Sequence, residues 1–120
     1  MTSSPAGRVP PPLLPDGPWD AWEIRRYDGS RLTLAAGADL TYHHELEVEL
    51  TDVLYVRCPT AFMDPVFREP TAEEWAEAVR TVGEEPPVLL AFDADGGGTA
   101  PVACLIAAEA WAVRRGRFPR

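Results

Sequence analysis

The chain has no lysine, no asparagine and no glutamine, and all eleven of its cationic side chains are arginine. This reads as the coding bias of a GC-rich genome and not as a functional signal. Wherever a cation is used, it brings a rigid fork of donors that can grip a carboxylate with two bonds. Cations are also scarce. Nineteen Asp and Glu outnumber them, for a formal net charge of −8. That balance argues against nonspecific nucleic-acid or anionic-membrane binding, since both reward clustered positive charge. It suits a soluble protein, or one whose partner is basic. No segment approaches the roughly 18 apolar residues of a membrane-spanning helix. The first residues carry Arg8 but lack the apolar stretch of a secretory signal. Only two cysteines are present, Cys58 and Cys104, so free thiols in the cytoplasm are the expectation and a single disulfide is the lesser alternative.

What is present fits one folded domain. At 120 residues the chain can bury a core without a metal or a disulfide staple. Its 46% apolar and 25% charged residues are ordinary for a soluble globular protein. Residues 1–18 hold six of the thirteen prolines. Proline fixes φ and has no N–H, so this segment reads as an extended arm, with the domain spanning 19–120. Pro12-Leu13-Leu14-Pro15 matches the PxxP pattern of polyproline ligands, but the pattern is common, and Leu13 and Leu14 suit better a role in pinning the arm to the domain.

The chain is organised around Tyr42 to Phe67. His44, Leu46, Val48 and Leu50 share one parity, while His43, Glu45, Glu47 and Glu49 share the other. This period of two marks a strand with one dry and one wet face. Val53 to Val56 is apolar on both parities, which suggests a strand covered on both sides. One straight strand from His43 to Cys58 would be unusually long, so a bend, bulge or turn is expected at Thr51-Asp52. Upstream, Trp19 to Tyr27 and Arg31 to Ala35 alternate across an Asp28-Gly29-Ser30 turn, the pattern of a hairpin. Arg25, Arg26 and Arg31 are the nearest cations to lie across from the glutamate row. Downstream, proline-punctuated Thr60 to Pro70 is expected to wrap the core, with a short edge strand at Val66 to Glu69.

Thr71 to Gly83 carries a complete set of helix signals. Thr71 and Glu74 form a capping box, Glu73 and Glu74 lie in the first turn, and Gly83 stands at the left-handed stop. Trp75, Ala78, Val79 and Val82 form its core stripe, with Glu73, Glu77, Arg80 and Thr81 outside. Val88 to Phe92 reads as a buried strand. Pro101 to Val113 is compatible with a helix capped by Thr99 and ended by Arg114, Arg115 and Gly116. It is also compatible with a strand pairing back on Val88 to Phe92 across the glycine turn, and a buried apolar run after such a turn suits the strand better.

Four patterns invite chemistry. His43-His44-Glu45 suggests a metal, but adjacent strand residues point to opposite faces and cannot share an ion without a bulge. Cys58 with either histidine could pair nucleophile and base, yet only Arg57 nearby would activate the thiol, and a small buried hydrophobe is the plainer role. Asp93-x-Asp95 resembles a calcium loop, but Gly97 occupies the third ligand position and Cys104 the twelfth. The Glu45, Glu47, Glu49 row is a solvated face or an acidic surface that steers toward a basic protein. No catalytic residue, metal or cofactor is assigned.

The run HHELEVELTDVLYVRCPTAFMDPVFR, then a capped helix, then VLLAFDAD and CLIAAEAWAV, resembles the small single-domain α+β proteins of actinobacteria, including immunity proteins of polymorphic toxin systems. The resemblance implies an intracellular, non-enzymatic binder of a protein partner and carries over no functional residues. The expected fold is α+β: a curved, mostly antiparallel sheet of five or six strands with one main helix, Ala72 to Val82, packed on it. The expected function is partner binding through Glu45, Glu47 and Glu49. The alternative is a small-molecule binder or enzyme with a pocket between sheet and helix lined by His44, Tyr55 and Trp75. A third reading is a homodimer subunit pairing through an edge strand.

Overall fold

The computed structural model describes residues 14, 15, 17 and 19–119. The proline-rich arm and its PxxP therefore fall almost wholly outside the described residues, although Leu14 packs partly buried against the core. The elements are β1 (Ala21–Tyr27), β2 (Arg31–Gly37), β3 (His43–Thr51), β4 (Tyr55–Arg57), β5 (Ala61–Arg68), α1 (Ala72–Val82), β6 (Val88–Asp95), β7 (Val102–Ala108) and β8 (Ala110–Pro119). All eight strands join one sheet in the order β4-β7-β6-β5-β1-β2-β3-β8, and every neighbouring pair is antiparallel. The mostly antiparallel sheet with one helix is as expected. Among the described residues the strand count is eight, not five or six. The excess comes mainly from the C-terminal region, where the apolar run breaks at Glu109 into two strands and the second continues to Pro119.

The sheet curls strongly, and the connectivity shows why. β7 and β8 are separated by a single residue, yet β8 is one end of the sheet and β7 lies beside the other. β3 and β4 repeat the arrangement. Residues 43–57 therefore run antiparallel to residues 105–119 as one kinked ribbon, from His43↔Pro119 to Arg57↔Leu105. The kink falls at Asp52, which adopts a left-handed φ of 53°, where strand length required a break. At the kink the ladder thins to Glu109 N–H donating to Thr51 O (3.1 Å) and Leu54 N–H donating to Ala107 O (2.8 Å). The sheet does not close.

The concave face holds the main core. Trp22, Leu32, Leu34, Leu46, Val48, Leu50, Phe62, Leu90, Phe92 and Ile106 form one buried cluster drawn from six strands. Phe92 is its aromatic centre, with ring centroids 5.1 Å from Phe62 and 5.0 Å from Phe67. The alternation predicted for β3 places Leu46, Val48 and Leu50 here, each fully buried.

The helix lies on the outer face. Ala78 packs with Leu89, Ala91, Leu105 and Ala107, joined by the partly buried Tyr55, Trp75 and Val82. β6 and β7 are thus covered on both sides, which explains their unbroken apolar sequence. The capping box forms as expected: Glu74 N–H donates to Thr71 Oγ1 (3.1 Å) and Thr71 N–H donates to Glu74 Oε1 (2.9 Å). Gly83 ends the helix at φ 94°. One expectation fails here, because Val79 is exposed and Glu74 is buried in its stead.

The proline-punctuated segment also departs from expectation. β5 is an interior strand between β1 and β6 and not a short edge. Its register slips between Met63 and Val66, where Asp64 takes φ 50° and Pro65 follows. An irregularity of this kind leaves a residue out of the ladder, so the missing proline N–H breaks no bond.

Candidate functional site

The glutamate row is not an open acidic face. β8 lies beside β3 and supplies Arg114, which faces Glu47 and Glu49. Glu47 is buried, with Oε2 2.7 Å from His44 Nε2, and its other oxygen accepts a short bond from Arg114. Glu49 stands between Arg31 (3.8 Å) and Arg114 (3.9 Å), and Glu45 faces His43 at 3.3 Å. Arg31 is therefore the only one of the three expected partners found near the row. Arg25 and Arg26 belong to β1, which β2 separates from β3. The β3–β8 register is irregular between His44 and Leu46. Such slips sharpen local twist, and here the turned strand end brings His44 and Glu47 together. The two histidines have different carboxylate partners and do not converge on a common point.

The sheet–helix pocket is likewise not assembled. Tyr55 and Trp75 pack into the small cluster beneath the helix, and the Tyr55 hydroxyl donates to Glu77 Oε2 (2.8 Å). That bond is the first cause holding the phenol above its ordinary value, followed by burial. His44 stands at the far end of the ribbon, stacked on Phe118 at 5.0 Å. Cys58 is a poor nucleophile, because burial, with nearby Cys104 second, pushes its thiol up to about 12.

A dense charged network ties the helix to the sheet. Arg68 grips Glu74 through two bonds (2.6 and 2.9 Å) and Asp93 through two more (2.9 and 3.2 Å). Arg57 binds both oxygens of Glu77 (2.5 and 2.6 Å). The Arg68 bonds pull the Glu74 carboxyl below its ordinary value against the cost of burial, and the Thr71 N–H adds to the effect. Glu74 and Asp93 raise Arg68 in turn. These groups satisfy one another, so the network is a structural clamp.

A concavity lined by three carboxylates lies against β5 and β6, beside the β6–β7 turn. It has a volume of about 370 Å³ and is lined by Asp64, Val66, Asp93, Ala94, Asp95, Gly98, Thr99, Ala100 and Pro101. Its floor is apolar, and Val66 is 64% exposed there. Arg68 balances Asp93, but among the described residues no cation pairs with Asp64 or Asp95. Asp95 Oδ1 accepts the Gly97 N–H (2.8 Å), which shapes the tip. Asp64 also borders a second hollow of about 330 Å³ with Trp19, Asp20, Trp22 and Pro65. The two hollows meet at Asp64, whose N–H donates to Asp20 O (2.9 Å). The hollow between Asp64 and Asp95 is an open groove with Val66, Ala94, Ala100 and Pro101 in its lining, and Asp64 borders the second hollow as well. No local signal links Asp93 and Asp95 to Asp64; the β5–β6 pairing does.

No family model, curated protein or solved structure matches the chain. Among the described residues, no three His, Cys, Asp or Glu side chains are grouped to hold a metal ion, and no helix is long and apolar enough to cross a membrane.

Proposed function

We propose that the chain is a non-enzymatic, cytoplasmic binder of a protein partner, an immunity-like or accessory protein that receives a basic, extended segment. The acidic contact belongs to the Asp64–Asp95 groove and not to the β3 glutamates, of which Glu47 and Glu49 face arginines and Glu45 faces His43. The observation that carries this reading is the pairing of two carboxylates, which no cation among the described residues engages, with the exposed Val66. Carboxylates steer and orient a cationic segment, and the apolar contacts supply the holding energy. Asp64 sustains a left-handed φ at the junction of the two hollows, and strained residues of this kind gather at ligand clamps.

The test is affinity capture of the partner from host lysate, then titration at two salt concentrations. Asp64→Asn with Asp95→Asn should weaken the complex about tenfold or more and flatten its salt dependence. Glu45→Gln should do neither. Binding that ignores both salt and the double variant would reject the groove. The volume of the hollow also lies within the range of small-ligand sites, so a small organic cation is the second reading. Native mass spectrometry of the freshly purified protein separates the two.

A further inference from the structure

Cys58 directly follows β4, and Cys104 lies within β7. The two strands pair through Tyr55↔Ala107, Val56↔Ile106 and Arg57↔Leu105. One more step in the same register sets Cys58 opposite Cys104. The two side chains also share a face. Cys104 is fully buried in the main core, and Cys58 packs half-buried against that cluster, while the alternate residues Tyr55, Leu105 and Ala107 turn toward the helix. Burial first, and Cys104 second, raise the Cys58 thiol. Directly opposed residues in an antiparallel pair hold their Cβ atoms about 4.5–5.5 Å apart, close to the roughly 3.5–4.5 Å that a disulfide requires. β4 is a three-residue edge strand, so little resists the adjustment.

We propose that Cys58 and Cys104 form a reversible disulfide that staples the β4 edge of the sheet to β7. The oxidant is a small-molecule disulfide of the glutathione class. Cys58, the more exposed thiol, loses its proton and attacks one sulfur of the oxidant. The oxidant's S–S bond breaks, one small thiol leaves, and a mixed disulfide remains on Cys58. Cys104 then loses its proton and attacks Cys58 Sγ, expelling the second small thiol. The protein's two thiols give up two electrons, and the small disulfide takes them. Burial holds both thiols above their ordinary values, so exchange is slow at neutral pH and quickens as the pH rises. The pair answers sustained oxidation and not a brief pulse.

The full chain is reduced, then equilibrated in glutathione buffers of graded potential at alkaline pH, alkylated, weighed and peptide-mapped. A parallel set is refolded from urea in the same buffers, which gives both thiols access to the oxidant. The expected product is a monomer lighter by about 2 Da with the Cys58 and Cys104 peptides joined. Its ratio to the dithiol form should change tenfold per about 30 mV. Its melting temperature should rise by about 10 °C, because the bond closes a long loop. Cys104→Ser should stop at a glutathione adduct on Cys58. Two free thiols after oxidative refolding, a wild-type protein halted at the adduct, or a link between chains would each overturn the proposal.

Discussion

Replacing Glu47 separates a structural glutamate from a surface one within a single row. Glu47 is 8% exposed and His44 only 2%. His44 Nδ1 already has no partner, so Glu47→Ala leaves neither ring nitrogen satisfied. An unpaired buried polar group costs about 1–3 kcal/mol. Arg114 adds little, because its side chain is 57% exposed and returns to water, where such pairs contribute under about 1 kcal/mol. The expected loss is about 2–3 kcal/mol. Glu49→Ala, whose cations stand at 3.8 and 3.9 Å, should lose less than about 1 kcal/mol. Glu45→Ala should fall within about 0.5 kcal/mol of the parent. Urea unfolding followed by tryptophan fluorescence reads these values, with Trp22 as the buried reporter. The midpoints should shift at constant slope. A His44→Phe background refines the test. A phenyl ring can stack on Phe118 without needing a carboxylate, so adding Glu47→Ala should then cost under about 1 kcal/mol. Equal losses at positions 45, 47 and 49, or an undiminished loss beside Phe at position 44, would refute the reasoning.

Further outcomes follow from the helix clamp and the core. Glu74→Gln removes the charge that Arg68 grips and should cost about 2–3 kcal/mol at pH 7 by urea unfolding. The folded-state carboxyl lies below its ordinary value near 4.5, so the wild-type advantage is complete above that value. It is lost as the pH falls through the lowered one, and the two proteins' urea midpoints should converge in acid. Gly83→Ala meets no atom within 4 Å but must hold φ 94°, so its cost, read by thermal melting, is conformational alone, about 1 kcal/mol. Phe92→Ala should cost about 3–5 kcal/mol in the same assay, since Phe92 is fully buried between Phe62 and Phe67.

The legible parts of the fold were those written locally. Thr71, Glu74 and Gly83 specify the helix within thirteen residues and need nothing from elsewhere. The β3 alternation gave its dry face, and the limit on strand length gave the kink at Asp52. Pro65 hid β5, because a proline demotes a strand unless an irregularity in register accommodates it. β8 was hidden for another reason. Its arginines, Gly116 and Pro119 show no apolar period, and it is a strand because β3 offers it a free edge. The burial of Glu47 depends on that same non-local pairing. The groove has no local signature because Asp64 lies on β5 and Asp95 on β6, strands separated in sequence by the helix and brought together only by the β5–β6 register.

The kinked ribbon has a kinetic consequence. Its two halves come from parts of the chain separated by β5, the helix and β6, so their meeting must await the ordering of what lies between them. Chains dominated by such distant pairings fold in about milliseconds to seconds, far slower than helical bundles of similar size. Until the ribbon zips, the bare margin of β3 is open to any passing strand, and crowding during refolding should favour clumping over recovery.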